Sequence, residues 1–298
     1  GAETLVEIVA RLEAGERAAI FTGCDATTLT SEKPEAEFGW YDGCVGGDEA
    51  MVIATTTHSG SPETVLRTSV VTMAVGDDLV LDTWQAPATV GYTLPPGLDG
   101  FIEIAVEVKY AGVGVRRFFA EPGRSSFHAA LVGQWQLQFW GLEGAREFFV
   151  NRSLEPTTQL DVMDDELLPD LPATVEQRQG LVRLSFPGDP TVTLRSTLLV
   201  MGDPCEAVGH YQNVLSEGGR TGLVVPALGD AELSLAPTAR SELIVRFPLL
   251  DPARAILTLG SPSRYPSPDL SALHAAAGPD GGETLTASYA MYGKMSCH

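Results

Sequence analysis

The sequence predicts an all-β protein: a sandwich of strands, with short helices confined to loops and to the N-terminus. Two observations carry this prediction. Short runs in which apolar and polar residues alternate recur along the chain, punctuated by Gly, Pro and Asp clusters at the spacing of strand turns. The clearest such run, residues 241–247, sets Leu243, Val245 and Phe247 on one face and Glu242, Ile244 and Arg246 on the other. Pro248 and Pro252 each remove a backbone donor, so this strand must leave its ladder near Phe247. Ile256, Leu257 and Leu259 resume an apolar run beyond it, as in a sandwich whose chain passes between sheets.

The totals bound the rest. A chain of 298 residues can form one large β domain or two ordinary ones, and 44% hydrophobic with 19% charged residues is a globular composition. No apolar run approaches the ~18 residues of a membrane span, and no apolar signal core follows a basic N-terminus. Acidic residues number 39 against 19 basic, a net charge of -20, with Lys33, Lys109 and Lys294 the only lysines. Such a chain repels phosphate backbones, so little direct nucleic-acid binding is expected. Cys24, Cys44, Cys205 and Cys297 form no C-x-x-C pair, so free buried thiols are expected rather than a zinc or redox motif. A bridge between Cys24 and Cys44 stays open for an oxidising compartment.

Thr4-Leu5-Val6-Glu7 has the form of a capping box, and Leu5, Ile8, Val9 and Leu12 follow at helical spacing up to Gly15. This predicts a helical arm over residues 1–17, ahead of a single sandwich domain over residues 18–298. Residues 18–52 read as a short strand, a polar loop and a Gly-rich turn region, and residues 51–57 as β-rich. Residues 64–84 read as a hairpin turning at Gly76-Asp77-Asp78. Residues 85–100 read as a loop, and residues 101–120 as a β region broken at Gly112 and Gly114. Arg116, Arg117 and Arg124 form a small basic cluster, a solvated edge that an acidic neighbouring surface would suit.

In residues 131–139 Gln alternates with Leu, Trp and Phe. Asn151-Arg152-Ser153 is a formal glycosylation sequon, a frequent chance match. Residues 154–173 form an acidic loop whose Asp161, Asp164, Asp165 and Glu166 lack the spacing of a calcium loop. A second hairpin joins residues 181–186 to residues 191–200 through Pro187-Gly188-Asp189-Pro190. A helix follows over residues 203–218, lined by Val208, Tyr211 and Leu215. A short helix over residues 269–277 and a last strand over residues 283–292 close the chain.

No constellation carries catalytic chemistry. There is no nucleophile elbow, His-Glu-x-x-His pair or Walker loop, and His58, His128, His210, His274 and His298 are scattered singly. No catalytic, cofactor-binding or metal-ligating residue is therefore assigned, and neither cofactor nor enzyme activity is expected. A triad built in space around His58 and Ser59 is a minor reading. Exposed aromatics such as Trp40, Trp84 or Trp140 give an alternative function, a secreted or surface β-sandwich that binds carbohydrate.

The order of elements from Phe127 onward resembles the single jelly-roll capsid proteins of picornavirus-like icosahedral viruses. Leu131-Val132-Gly133-Gln134-Trp135-Gln136-Leu137-Gln138-Phe139 is similar to the family's aromatic-x-Gly-x-apolar strand, with Leu131 where an aromatic is usual. Phe247-Pro248-Leu249-Leu250-Asp251-Pro252 resembles its apolar-Pro turn, and residues 255–262 with the closing strand resemble its last two strands. The resemblance implies a jelly-roll β-sandwich with helices in loops. It implies a structural coat subunit assembling with copies or sister subunits in the host cytoplasm, resident in the virion and open to a host receptor.

Gly-Asp-Asp between apolar strands also resembles the metal-binding hairpin of viral RNA polymerases, but that reading needs upstream aspartates and a basic template channel. A plain turn is expected. The double variant Asp77→Asn/Asp78→Asn should keep the wild-type thermal melt by circular dichroism, and Mg²⁺ or Mn²⁺ should leave that melt unmoved in either protein. A metal-dependent rise in Tm lost in the double variant would refute the assignment.

Overall fold

The computed structural model describes residues 3–41, 47–58, 65–98, 100–120, 123–143, 146–163, 174–178, 181–189, 192, 194–201, 210–217, 219–226, 238–246 and 284–290. Every regular element among these residues is a strand, which makes the protein all-β. The strands fall into two compact units. One comprises residues 1–94, 103–138 and 153–162, and the other residues 95–102, 139–152 and 163–298.

Seven strands open the first unit: β1 (Glu3–Ala10), β2 (Glu16–Phe21), β3 (Ala26–Thr30), β4 (Glu35–Tyr41), β5 (Glu49–His58), β6 (Arg67–Ala74) and β7 (Leu79–Leu81). They form two sheets, ordered β4-β1-β7 and β3-β2-β5-β6. One core joins them, with Val6, Ile8, Phe38, Trp40, Leu79 and Leu81 from the first sheet and Ala18, Ile20, Leu29, Val52 and Ala54 from the second. Sheets that share one core in this way form a β-sandwich. Phe38 and Trp40 meet edge to face, ring centroids 5.5 Å apart, at the centre of the first sheet's contribution.

The N-terminal helix predicted over residues 1–17 is corrected by β1, and β1 lies in the same unit as the strands after it. Its residues satisfy two periods at once. Leu5, Ile8, Val9 and Leu12 fit a helix, but Val6, Ile8 and Ala10 fit a strand and are the ones buried. Three β-branched residues in four, Val6, Ile8 and Val9, suit the pleated surface, and pairing on both sides decides the matter. β1 runs antiparallel to β4 and parallel to β7, with Val6 opposite Phe38 and Ile8 opposite Leu79.

The hairpin predicted over residues 64–84 is corrected too. The turn at Gly76 forms, but β6 pairs with β5 in one sheet while β7 pairs with β1 in the other. The local signal marked a reversal of the chain, and the chain used it to change sheets. The predicted second hairpin behaves alike: β16 (Leu181–Ser185) pairs with β15 (Thr174–Arg178) and β19 (Gly222–Pro226), while β17 (Leu194–Met201) pairs elsewhere.

The first unit also holds β8 (Ala88–Thr93), β11 (Ser126–Ala129) and β14 (Gln159–Asp161), a sheet ordered β11-β8-β14. β8 falls where a loop was expected over residues 85–100, and β14 inside the expected acidic loop. The hairpin of β9 (Gly100–Tyr110) and β10 (Val113–Ala120) turns at Ala111 and Gly112, with φ of 49° and 80°. Two successive positive φ values are what a two-residue hairpin demands, and they account for the break read at Gly112. β10 lies against β5, whose Met51, Ile53 and Thr55 are buried on the face turned away from the sandwich core.

β12 (Gln134–Glu143) starts in the first unit, with Trp135 and Leu137 fully buried as its alternation predicted. Gly133 precedes it with φ +65°, where a Cβ would stand 2.6 Å from the Lys109 carbonyl oxygen. No other residue fits there without moving backbone.

In the second unit β13 (Arg146–Leu154), β21 (Thr284–Ala290), β20 (Thr238–Arg246), β17 and β18 (His210–Glu217) pair in that order, antiparallel throughout. β20 covers the alternating run as far as Arg246, and Phe247 and Pro248, where the strand was expected to leave its ladder, lie outside the described residues. β18 overturns the helix predicted over residues 203–218 for residues 210–217, because partners along β17 from Leu194 to Met201 take up its backbone groups. Residues 203–209 and the helix predicted over residues 269–277 lie outside the described residues. Among the described residues, then, no helix stands in the loops or at the N-terminus.

Phe38 is 1% exposed and supports the aromatic pair of the first sandwich. Phe38→Ala should cost ~3–5 kcal/mol of stability in urea unfolding, since it removes buried surface and leaves a cavity. A loss under about 1 kcal/mol would show that this core does not depend on the ring.

Candidate functional site

Three constellations of side chains in the first unit go beyond ordinary packing. The first is the outward face of the sheet β4-β1-β7. β1 turns Val6, Ile8 and Ala10 inward and so places Leu5, Glu7 and Val9 outside. Leu5 is 58% exposed, Val80 54% and Tyr41 46%. Val9 stands opposite Val80, and Glu7 opposite Glu37. Like charges directly across a ladder destabilise it slightly. The face therefore carries apolar side chains in water and a carboxylate pair between them.

The second constellation is a buried ion pair. Glu16 at the start of β2 is only 4% exposed, and its carboxylate accepts a charge-assisted hydrogen bond from Arg67 Nη2 on β6. Thr56 Oγ1 donates to the same carboxylate at 3.4 Å, and the Glu13 N–H donates to it at 2.9 Å. Arg67 Nη1 also reaches Glu13 at 3.2 Å, and its guanidinium lies 5.3 Å from the Trp84 ring centroid. Trp84 Nε1 in turn donates to the Arg11 carbonyl at 3.0 Å. The group ties the connection after β1 to β2, β5, β6 and the segment after β7.

The third is Arg116 on β10. Its guanidinium carbon lies 3.8 Å from the Phe21 ring centroid and 5.4 Å from that of Phe118. Its Nε atom is buried without a hydrogen-bond partner. Burial pushes the group down to about 10, which still leaves it charged at neutral pH.

The residues singled out in the sequence are mostly used otherwise. Trp40 is 2% exposed and belongs to the core, and Trp84 is held under Arg67, so neither is a free stacking platform for sugar. The expected basic cluster is not one surface: Arg117 pairs with Glu103, while Arg116 packs on aromatic rings. The Arg124 carbonyl accepts a hydrogen bond from the Tyr92 hydroxyl. Asp78 Oδ1 accepts the Glu7 N–H at 2.8 Å, which pins the Gly-Asp-Asp turn to β1. Asp161 accepts from Thr93 Oγ1 and from Gln159 Nε2, and residues 164–166 lie outside the described residues. Asn151 of the sequon is 4% exposed inside β13, where no glycan can be attached.

His58 ends β5, exposed, with Ser59 outside the described residues. His128 Nδ1 donates to the Val65 carbonyl at 3.1 Å. Among the described residues no group of three or more His, Cys, Asp or Glu is placed to hold a metal ion. Cys24 is disulfide-bonded, against the expectation of a free thiol, and its partner lies outside the described residues. No helix among the described residues is long and apolar enough to cross a membrane. Glu16 and Arg67 escaped the sequence reading because 51 residues separate them and neither sits in a motif.

No protein-family description and no curated protein matches the chain. Among solved structures it is similar to the crystal structure of the chicken CNTN1 FN1-FN3 domains, at 10% identity, covering 81% of this chain and 85% of that one. The TM-score is 0.19, which decides nothing about fold or function.

Arg67→Met leaves the Glu16 carboxylate buried without its cation and should cost ~3–5 kcal/mol in chemical unfolding. The double variant Glu16→Gln/Arg67→Met should recover most of that loss. If the two single losses simply add in the double variant, the pair does not act as a unit.

Proposed function

We propose that the protein is a structural coat subunit that works through protein–protein contact, closing a shell with copies of itself or with sister subunits. The outward face of β4-β1-β7 carries this reading: Leu5, Tyr41 and Val80 stand in water around Glu7 and Glu37. Apolar area on a sheet face is unfavourable in an isolated monomer and becomes favourable when a neighbour covers it. The resemblance from Phe127 onward adds the finer part of the proposal, a jelly roll in an icosahedral virion. The disulfide at Cys24 supports residence on a virion or cell surface and weighs against a working life in the reducing cytosol.

Light scattering after size exclusion tests the proposal. Assemblies of many copies are expected, favoured by added salt because each copy carries -20. Leu5→Glu/Val80→Glu should abolish them while leaving the circular dichroism melt in place. A protein that stays monomeric at every concentration and salt level would overturn the reading.

A further inference from the structure

We propose that the outer edge of the Arg116 guanidinium, seated on Phe21 and Phe118, is a binding site for a carboxylate. The argument starts from what the chain does with its other buried or paired arginines. Arg67 has Glu16 and Glu13, and Arg117 has Glu103. Among the described residues Arg116 meets two aromatic rings and no carboxylate, in a chain with 39 acidic residues. Stacking on an aromatic face stabilises a guanidinium by only ~0.5–2 kcal/mol, and it satisfies none of the five N–H donors. Withdrawing those donors from water without an acceptor is unfavourable.

Geometry says which side is available. The Nε atom is inaccessible, while the residue as a whole is only half-buried, so the two Nη atoms form the reachable edge. Two parallel N–H donors in one plane match the two oxygens of a carboxylate end on. The rings beneath fix that plane and remove much of the rotamer freedom that binding would otherwise have to quench. A polyphosphate could meet the same fork, but the field of a chain at -20 opposes multiply charged anions most and a single carboxylate least. The carboxylate has two possible sources: a small free acid, or an acidic side chain on another copy of the chain. This inference does not depend on the coat reading.

The experiment uses the full chain and acetate as probe, with chloride at matched ionic strength as reference. The Arg116 side-chain N–H signals of the wild type, assigned by their loss in Arg116→Met, should shift on titration with acetate and saturate. Arg116→Lys keeps the charge without the planar fork and should weaken acetate binding about tenfold, the size of one lost charge-assisted hydrogen bond. If acetate leaves the signals unmoved but sedimentation shows the wild type self-associating more tightly than both variants, the carboxylate is supplied by another copy. Equal acetate responses in wild type and Arg116→Lys would overturn the proposal. So would silence in both arms, and if Arg116→Met fails to fold the guanidinium signals are assigned by their loss in Arg116→Lys instead.

Discussion

The pairing of Glu16 with Arg67 is the constraint on which the first sandwich depends. A carboxylate at 4% exposure is tolerable only with its cation and hydrogen bonds in place, and here they come from separate parts of the chain. Arg67 opens β6, Thr56 sits on β5, and Glu13 belongs to the connection after β1. Trp84 covers the guanidinium and returns its own donor to Arg11. Hydrophobic burial drives the two sheets together without fixing their register. The polar group adds fixed contacts from the sheet of β2, β5 and β6 to the connection after β1 and to the segment after β7. Its net contribution to stability is smaller than the penalty for breaking it.

How much of this was legible in the sequence depends on the range of the interaction. Alternation identified the strands at Gln134–Glu143, where Trp135, Leu137 and Phe139 are buried, and at Thr238–Arg246, because that pattern is a local record of a nonlocal fact. It failed at Glu3–Ala10, where helical and strand periods coexist and the choice fell to β4 and β7. Turn chemistry located the reversal at Gly76. It could not say whether the next strand would return to its neighbour or cross to another sheet, since both begin with the same turn. A sandwich crosses often, so a tight turn between two apolar runs does not by itself specify a hairpin.

Side-chain roles were less legible than strands. Trp40 was read as an exposed aromatic and is core, because one indole in a short Gly-flanked strand gives no sign of its face. Arg116 and Arg117 looked like one patch, yet neighbours in a strand point to opposite sides, and their partners are a pair of rings and a glutamate respectively. Cys24 carried no spacing motif, and its disulfide is a matter of approach in space and of compartment. What a sequence reports well is periodicity. It reports poorly any contact whose members lie far apart in the chain.

The parallel pairing of β1 with β7 bears on how the protein is made. Glu7 and Asp78, which lock that seam, are 71 residues apart. A nascent chain must therefore expose the first strand, with Leu5, Val6, Ile8 and Val9, until the seventh has left the ribosome. Closing a loop of that length before any reward is slow, so the sandwich is a high-contact-order unit that completes late. During that interval β1 is an open edge able to pair with the wrong strand, and the short, acid-flanked β7 is what ends its vulnerability.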